Sequence, residues 1–339
     1  MSENNNNIVV LGGGSFGTAI ANMIAGNGHS VTLWMRDPQN AQRCVQLGEN
    51  DRYLPGYKLD PRLQITADLG QALEQAKLIF FSVPSKAFRS VCKQAAEYID
   101  PGSMVVSTAK GIESPTFTLM SAILAEELDA PRIGVISGPN LAREVACREL
   151  TATVIASADE TLCATVQQLL STEFFKVYGN KDMFGVELAG ALKNIYAIAA
   201  GIASAMHLGQ NTVSLLITRS LAEMARFATQ LGANPMTFMG LSGVGDLFVT
   251  CTSPLSRNFG IGQALGHGKS LDEAVRQVGQ VAEGINTTRI VKQKAEELGI
   301  YMPLANALYD VMFKGAAISV VVKNMMGSAH AEDVEFRVR

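Results

Sequence analysis

The chain has 339 residues, more than one compact core ordinarily holds, so two domains are expected. Hydrophobic residues make up 47% and charged residues 17%, and a net charge of −3 with a pI of about 5.9 leaves no global footprint for nucleic acid, although two or three local cations suffice for a small anion. Cys44, Cys92, Cys147, Cys163 and Cys251 form no CxxC pair and no cluster with histidine, which disfavours a disulfide framework or a metal site and fits a reducing cytoplasm.

Met1–Asn7 is polar and Asn-rich, with no basic stretch before an apolar core, and reads as a frayed tail rather than a signal peptide. Ile8–Leu11 is an apolar strand, followed by Gly12-Gly13-Gly14-Ser15-Phe16-Gly17 and a helix over Thr18–Ala25. Gly12 permits a tight turn, Gly14 lets the backbone approach a pyrophosphate, and Gly17 allows close helix–strand packing. The diphosphate of a dinucleotide would rest on the free N–H groups of the helix start. A second strand, Val31–Met35, ends about 20 residues on, as this fingerprint requires. Arg36 there would meet a ribose 2′-phosphate, and Asp37 before Pro38 would cap the next helix, so NADPH is favoured over NADH. Arg36 is equally compatible with an ordinary strand end.

Further strands are expected at Leu78–Val83, Met104–Ser107, Ile133–Ile136 and Thr151–Ile155, with helices over Lys86–Tyr98 and Phe117–Leu128 between them. This alternation implies a doubly wound, mostly parallel sheet covered on both faces. Lys110 follows a strand at the sheet's carboxyl edge, where such sheets bind ligands; a solvated loop lysine is the plainer reading. Gly138 and Asn140 follow the next strand, in a turn that could present N–H groups, and Asn140 could also cap a helix beginning at Leu141.

From Asp182 onward the strand signals stop, and helices are expected over Phe184–His207, Val213–Leu231, Leu271–Val278, Glu283–Leu298 and Leu304–Phe313. Pro235 and Pro303 fall at helix starts. The domain boundary is placed before Asp182, giving domains over 8–181 and 182–330 and a polar tail at 331–339, with the site in the cleft between them. The most apolar stretch, Ile195–Met206, is about twelve residues, too short for a membrane span. Lys193 lies on the first of these helices, with Gly190, Ala197 and Gly201 on or beside its face, small enough for the nucleotide domain or a substrate to come close. Desolvation there, with Lys110 nearby, would lower its pKa towards what a proton donor needs, whereas a stem packed on apolar surface with its head in water is the alternative. Gly243 and Gly245 precede Asp246, and Thr250 stands one helical turn on. Arg257 and Asn258 after Ser256 suit a terminal phosphate, although Ser256 could simply cap the helix and Arg257 lie on the surface.

The motifs GGGSFG, FSVPS, STAKG, ISGPN, GVELAGALKN, LSGVGDL with TCTS, SRN and VAEG, in this order, resemble the NAD(P)-dependent glycerol-3-phosphate dehydrogenase family over nearly the whole chain. Length and spacing look like its bacterial form. The resemblance implies a Rossmann-like α/β domain followed by an all-α domain, and a homodimer. It also implies hydride transfer between NAD(P)H and C2 of a small phosphorylated substrate, dihydroxyacetone phosphate, giving sn-glycerol 3-phosphate for phospholipid synthesis. Lys193 matches the family's catalytic lysine, and Lys110 a residue touching substrate and cofactor. Asp246, Ser256, Arg257 and Asn258 match substrate-site residues, and Thr250 follows Asp246 at a similar interval. Ser15, Phe16, Arg36, Ala142, Val281 and Glu283 fall at cofactor-binding positions. Two features depart from the family's pattern: Phe259-Gly260 stand where basic residues commonly follow SRN, and Asn140 where threonine is commoner. A hydroxyacid or phosphogluconate dehydrogenase and a non-catalytic NADPH sensor share some of these parts but do not need the Ser256–Asn258 pocket or the Lys110, Lys193 and Asp246 set.

Overall fold

The structure is a computed structural model that describes residues 7–129, 131–279 and 282–326. The chain divides into two compact units: Met1–Glu113 with Thr118–Val186, and Ser114–Phe117 with Glu187–Arg339. The break therefore falls inside a helix, a few residues after the boundary drawn from the sequence, and a four-residue stretch from the first half of the chain belongs to the second unit. The tails at 1–6 and 331–339 lie outside the described residues, and Asn7, assigned to the tail, instead begins a strand.

Among the described residues of the first unit ten strands are formed: β1 Asn7–Leu11, β2 Val31–Trp34, β3 Gln64–Thr66, β4 Ala76–Phe81, β5 Met104–Ser107, β6 Ile112–Glu113, β7 Thr118–Leu119, β8 Arg132–Ser137, β9 Thr151–Ala156 and β10 Phe175–Asn180. Eight make one sheet in the order β10-β9-β8-β5-β4-β1-β2-β3, parallel except where β9 meets β8. Side chains alternate across it. Ile8, Val10, Leu78 and Phe80 pack on one face with helices Ser15–Gly26 and Glu160–Leu170. Val9, Leu11, Ile79 and Phe81 pack on the other with helices Ser85–Ala95 and Met120–Glu127. Two cores on one sheet explain why these strands are apolar throughout. The strand order reverses at β1, which lies between β4 and β2, so the crevice for a ligand opens beyond the carboxyl ends of β1 and β4.

Four strands were absent from the sequence reading. β3 and β10 are sheet edges with exposed residues, and β6 and β7 are two-residue strands paired antiparallel as a hairpin. That hairpin also corrects the helix drawn from Phe117: Phe117 has φ +55°, and the helix begins only at Met120.

In the second unit no strand falls among the described residues from Glu187 onward. Its first helix, Met183–Ala205, has 23 residues and is long and apolar enough to cross a membrane by length and composition alone. The length argument made from the sequence thus fails; what marks a core helix is that most of its apolar window is buried. A Cβ on Gly201 would lie 2.0 Å from the Phe259 carbonyl oxygen, and one on Gly262 would lie 1.9 Å from that of Ile198. The lysine-bearing helix therefore packs backbone to backbone on helix Arg257–Gly266. Gly201 serves a helix of its own unit, not the nucleotide domain or a substrate as the sequence suggested. The remaining helices include Gln210–Gln230, Asp246–Thr252, Glu283–Leu298 and Pro303–Lys314, and Ile318–Met326, which the sequence reading did not include.

Candidate active site

Gly12 follows β1 with φ +117°, and a Cβ there would lie 2.6 Å from the Ser82 carbonyl oxygen, so the turn requires glycine on two counts. A Cβ on Gly17 would lie 2.0 Å from the Gly12 oxygen, whereas one on Gly14 would meet nothing within 4 Å. Open space at the middle glycine, beside a helix start with no side-chain cap and no acidic residue in its first turn, is the cradle a diphosphate needs. Ser15 Oγ donates to the Tyr53 carbonyl oxygen at 2.6 Å, and Phe16 packs partly buried against the core.

Beyond β2, Arg36 is exposed. Asp37 caps helix Pro38–Leu47: its Oδ1 accepts from the N–H groups of Gln39 and Asn40 at 3.0 and 3.3 Å, and its Oδ2 pairs with Arg52 at 3.2 Å. Arg52 was missed in the sequence, where it stands in an ordinary polar loop.

At the sheet's carboxyl edge, Lys110 Nζ donates to the Gly138 carbonyl oxygen at 2.8 Å, joining two predicted site residues. Asn140 does not cap a helix. The helix runs over Ala142–Ala146 behind Leu141, and Asn140 Nδ2 donates to Thr153 Oγ1 at 2.7 Å. Asn140 Oδ1 and Ser137 Oγ are buried without a hydrogen-bond partner. Buried polar atoms are rarely left so, and a bound ligand is one way to satisfy them.

In the second unit Lys193, Asp246 and Thr250 come together, 6%, 0% and 4% exposed. Lys193 Nζ donates to Asp246 Oδ1 and, at 2.7 Å, to Thr250 Oγ1. Leu241–Gly245 forms a wide turn, closed by a Gly245 N–H bond to the Gly240 oxygen, that feeds directly into helix Asp246–Thr252. A Cβ on Gly243 would lie 2.1 Å from the Phe238 oxygen, so this turn is where glycine lets the chain close up before Asp246. From the sequence, burial together with Lys110 and Asp246 is expected to set the charge state of the lysine; the structure brings the Asp246 carboxylate into direct contact with it. Cys251 lies beside the pair, its thiol pushed up to about 12 by burial, which leaves it inert.

Ser256 caps helix Arg257–Gly266 by accepting from the Phe259 N–H at 3.2 Å. Asn258 is an internal brace: its Nδ2 donates to Asn194 Oδ1 at 2.8 Å and its Oδ1 accepts from the Gly284 N–H at 3.0 Å. Asn194, next to the lysine, carries no signal of this bond in the sequence beyond its place in GVELAGALKN. Arg257 is exposed, yet enough protein surrounds it that desolvation lowers its pKa against the pull of Glu283. Glu283 begins helix Glu283–Leu298, and Val281 lies outside the described residues.

The family described as NAD-dependent glycerol-3-phosphate dehydrogenase N-terminus matches residues 7–163, and its C-terminal counterpart matches residues 182–323. The chain belongs to the NAD(P)-dependent glycerol-3-phosphate dehydrogenase family. It is 57% identical over 329 residues to the glycerol-3-phosphate dehydrogenase [NAD(P)+] of Ectopseudomonas mendocina, covering 97% of this chain and 96% of that one. With the Alcanivorax borkumensis enzyme of the same name it is 52% identical over 338 residues, 100% of this chain and 98% of that one. A crystal structure of glycerol-3-phosphate dehydrogenase from Coxiella burnetii superposes with a TM-score of 0.92 at 37% identity, over 95% of this chain and 99% of that one. The reaction is hydride transfer between NAD(P)H and dihydroxyacetone phosphate to form glycerol 3-phosphate, a phospholipid precursor.

Proposed function

We propose that Lys193 supplies the proton in this reaction, that the Arg257 guanidinium and the backbone N–H groups of the helix start at Arg257 and Asn258 hold the substrate's phosphate, and that NADPH is the preferred cofactor. The buried contact of Lys193 with Asp246 and Thr250 carries the first part. It orients an ammonium with two fixed partners, so that the proton is delivered from a defined point to the oxygen on which charge develops. When bound, the nicotinamide supplies the hydride. Gly12, Gly14, Gly17, Ser15 and the helix start hold the diphosphate, with Phe16, Ala142, Val281 and Glu283 further residues of the cofactor site. Lys110, Gly138 and Asn140, after the sheet's strands, are further substrate residues, with Lys110 also meeting the cofactor. Ser256 fixes the helix start at which Arg257 and Asn258 stand, and its uncapped N–H groups favour the phosphate.

The preference for NADPH is supported by Asp37. Both of its oxygens are already engaged, by helix N–H groups and by Arg52, so the carboxylate is poorly placed to take a ribose 2′-hydroxyl. Exposed Arg36 and Arg52 offer guanidinium groups to a 2′-phosphate instead. Initial rates with dihydroxyacetone phosphate and each cofactor test this. Arg36→Ala is expected to raise the KM for NADPH about 10-fold, the loss of one charge-assisted contact, and leave that for NADH within about twofold. A wild-type enzyme that oxidises NADH more efficiently would remove the preference.

A homodimer is the proposed assembly, supported by apolar side chains left exposed on the helical unit, among them Met236, Met239 and Phe248 at 60%, 62% and 57%. Sedimentation at the mass of one 36.2 kDa chain would remove it.

A further inference from the structure

Three residues beyond Lys193 on the same helix, Tyr196 is fully buried, and its hydroxyl donates to Glu223 Oε2 at 3.2 Å. Glu223 lies in the middle of helix Gln210–Gln230 and is 2% exposed. Its Oε1 accepts from the Leu304 N–H at 2.6 Å and its Oε2 from the Ala305 N–H at 3.2 Å. Those groups open helix Pro303–Lys314, whose own N-cap residue, Met302, offers no side-chain acceptor. One carboxylate therefore satisfies a helix start, where the dipole favours a negative charge, and simultaneously grips the lysine-bearing helix.

We propose that Glu223 is a positioning residue for the hydride-transfer reaction: its carboxylate, through Tyr196, sets the rotation of the helix that carries Lys193, and that hold slackens when it takes up a proton. The inference rests on the reading of Lys193 as proton donor. Residues three apart stand on adjoining faces of a helix, so a tether on Tyr196 restrains Lys193 directly. A side-chain atom about 6 Å from a helix axis moves about 1 Å for roughly 10° of rotation, and a misplacement of that size can cost on the order of 10²-fold in rate.

The hydrogen-bond inventory explains the dependence on the proton. Every neighbour of the carboxylate is a donor: Tyr196 from the lysine helix, and the Leu304 and Ala305 N–H groups from the third. A carboxylic acid brings a hydrogen of its own into this cluster, and backbone N–H groups cannot turn away. The Tyr196 hydroxyl can, exchanging a charge-assisted bond to the carboxylate for a neutral one from the acid's own hydrogen, so it is the bond that weakens. Burial pushes the Glu223 carboxyl up to about 7; the Leu304 and Ala305 N–H groups, Tyr196 and Arg226, on its own helix, act in the other direction. Arg226 is itself held by the Tyr301 carbonyl oxygen.

The test is kcat against pH for the wild type, Glu223→Gln, Tyr196→Phe, the double variant and Lys193→Ala. Wild-type kcat is expected to fall roughly 3- to 30-fold as pH drops through about 7, within the range a small misplacement brings. Glu223→Gln, a permanent mimic of the protonated acid, is expected to lack this step and to run near the wild type's low-pH rate, with the KM for dihydroxyacetone phosphate within about twofold. Tyr196→Phe should lose a similar factor, and the double variant no more than either single one, because both cut the same link. A Glu223→Gln enzyme that keeps the wild-type step, or losses that multiply in the double variant, overturns the proposal. Near-normal turnover in Lys193→Ala instead sinks the proton-donor reading itself. Should Glu223→Gln melt below the assay temperature, the near-isosteric Tyr196→Phe decides: an unchanged pH profile there overturns the proposal.

Discussion

Lys193→Ala is expected to lower kcat by about 10²–10⁴-fold with little change in the KM for dihydroxyacetone phosphate, the range for a positioned acid–base group. As the proposed proton donor, the ammonium would act on charge that exists only as the hydride arrives, so its loss would be felt in the transition state rather than in substrate binding. Lys193 is 6% exposed and held by Asp246 and Thr250, so bulk water has no easy route to replace it. Arg257→Ala supplies the contrast. An exposed guanidinium at a helix start grips a phosphate equally in ground and transition states, and its removal is expected to raise KM about 10-fold with kcat within a few-fold. Steady-state rates of NADPH oxidation measure both. A Lys193→Ala enzyme with near-normal turnover sinks the assignment of that lysine, and an Arg257→Ala enzyme with normal KM removes the arginine from the phosphate site.

The parts legible in the sequence are those imposed by local constraints. Ile8–Leu11 and the glycines after it announce strand, turn and helix because Gly12 and Gly17 have no room for a side chain. Asp37 before Pro38 reads as a helix cap, and it is one. What the sequence hides is pairing over distance. Lys193 and Asp246 are 53 residues apart, and nothing in either segment states that one carboxylate will sit on that ammonium. Glu223 is hidden more thoroughly, since a glutamate in mid-helix ordinarily marks a solvated face. It is buried because the start of a helix about eighty residues later needs an acceptor. Edge strands fail for a different reason: in Phe175–Asn180, Lys176 and Tyr178 face solvent, which breaks the continuous apolar run that betrays the central strands. The site followed the same rule. Ser256 and Asn140 were each given a capping alternative, and only tertiary contacts distinguish them, with Ser256 capping and Asn140 turned to Thr153.

The Lys193–Asp246 pair is expected to be retained for chemistry at no gain in stability. Asp246→Ala strands a buried ammonium, and breaking a pair from one side costs about 3–5 kcal/mol. The folded lysine then prefers to be neutral, so the folded state binds fewer protons than the unfolded chain. By linkage the stability of this variant rises as pH increases towards the unfolded lysine value of about 10.4. Lys193→Met combined with Asp246→Leu removes both charges while keeping apolar bulk, and such replacements are often neutral or stabilising. The double variant is therefore expected to unfold at a denaturant midpoint at or above that of the wild type and well above that of Asp246→Ala, while turning over no substrate above the Lys193→Ala level. Chemical denaturation of the three proteins at two pH values checks both signs. A double variant as unstable as Asp246→Ala would mean that the ion pair itself holds the helices together, because Met and Leu restore the packing but not the charges.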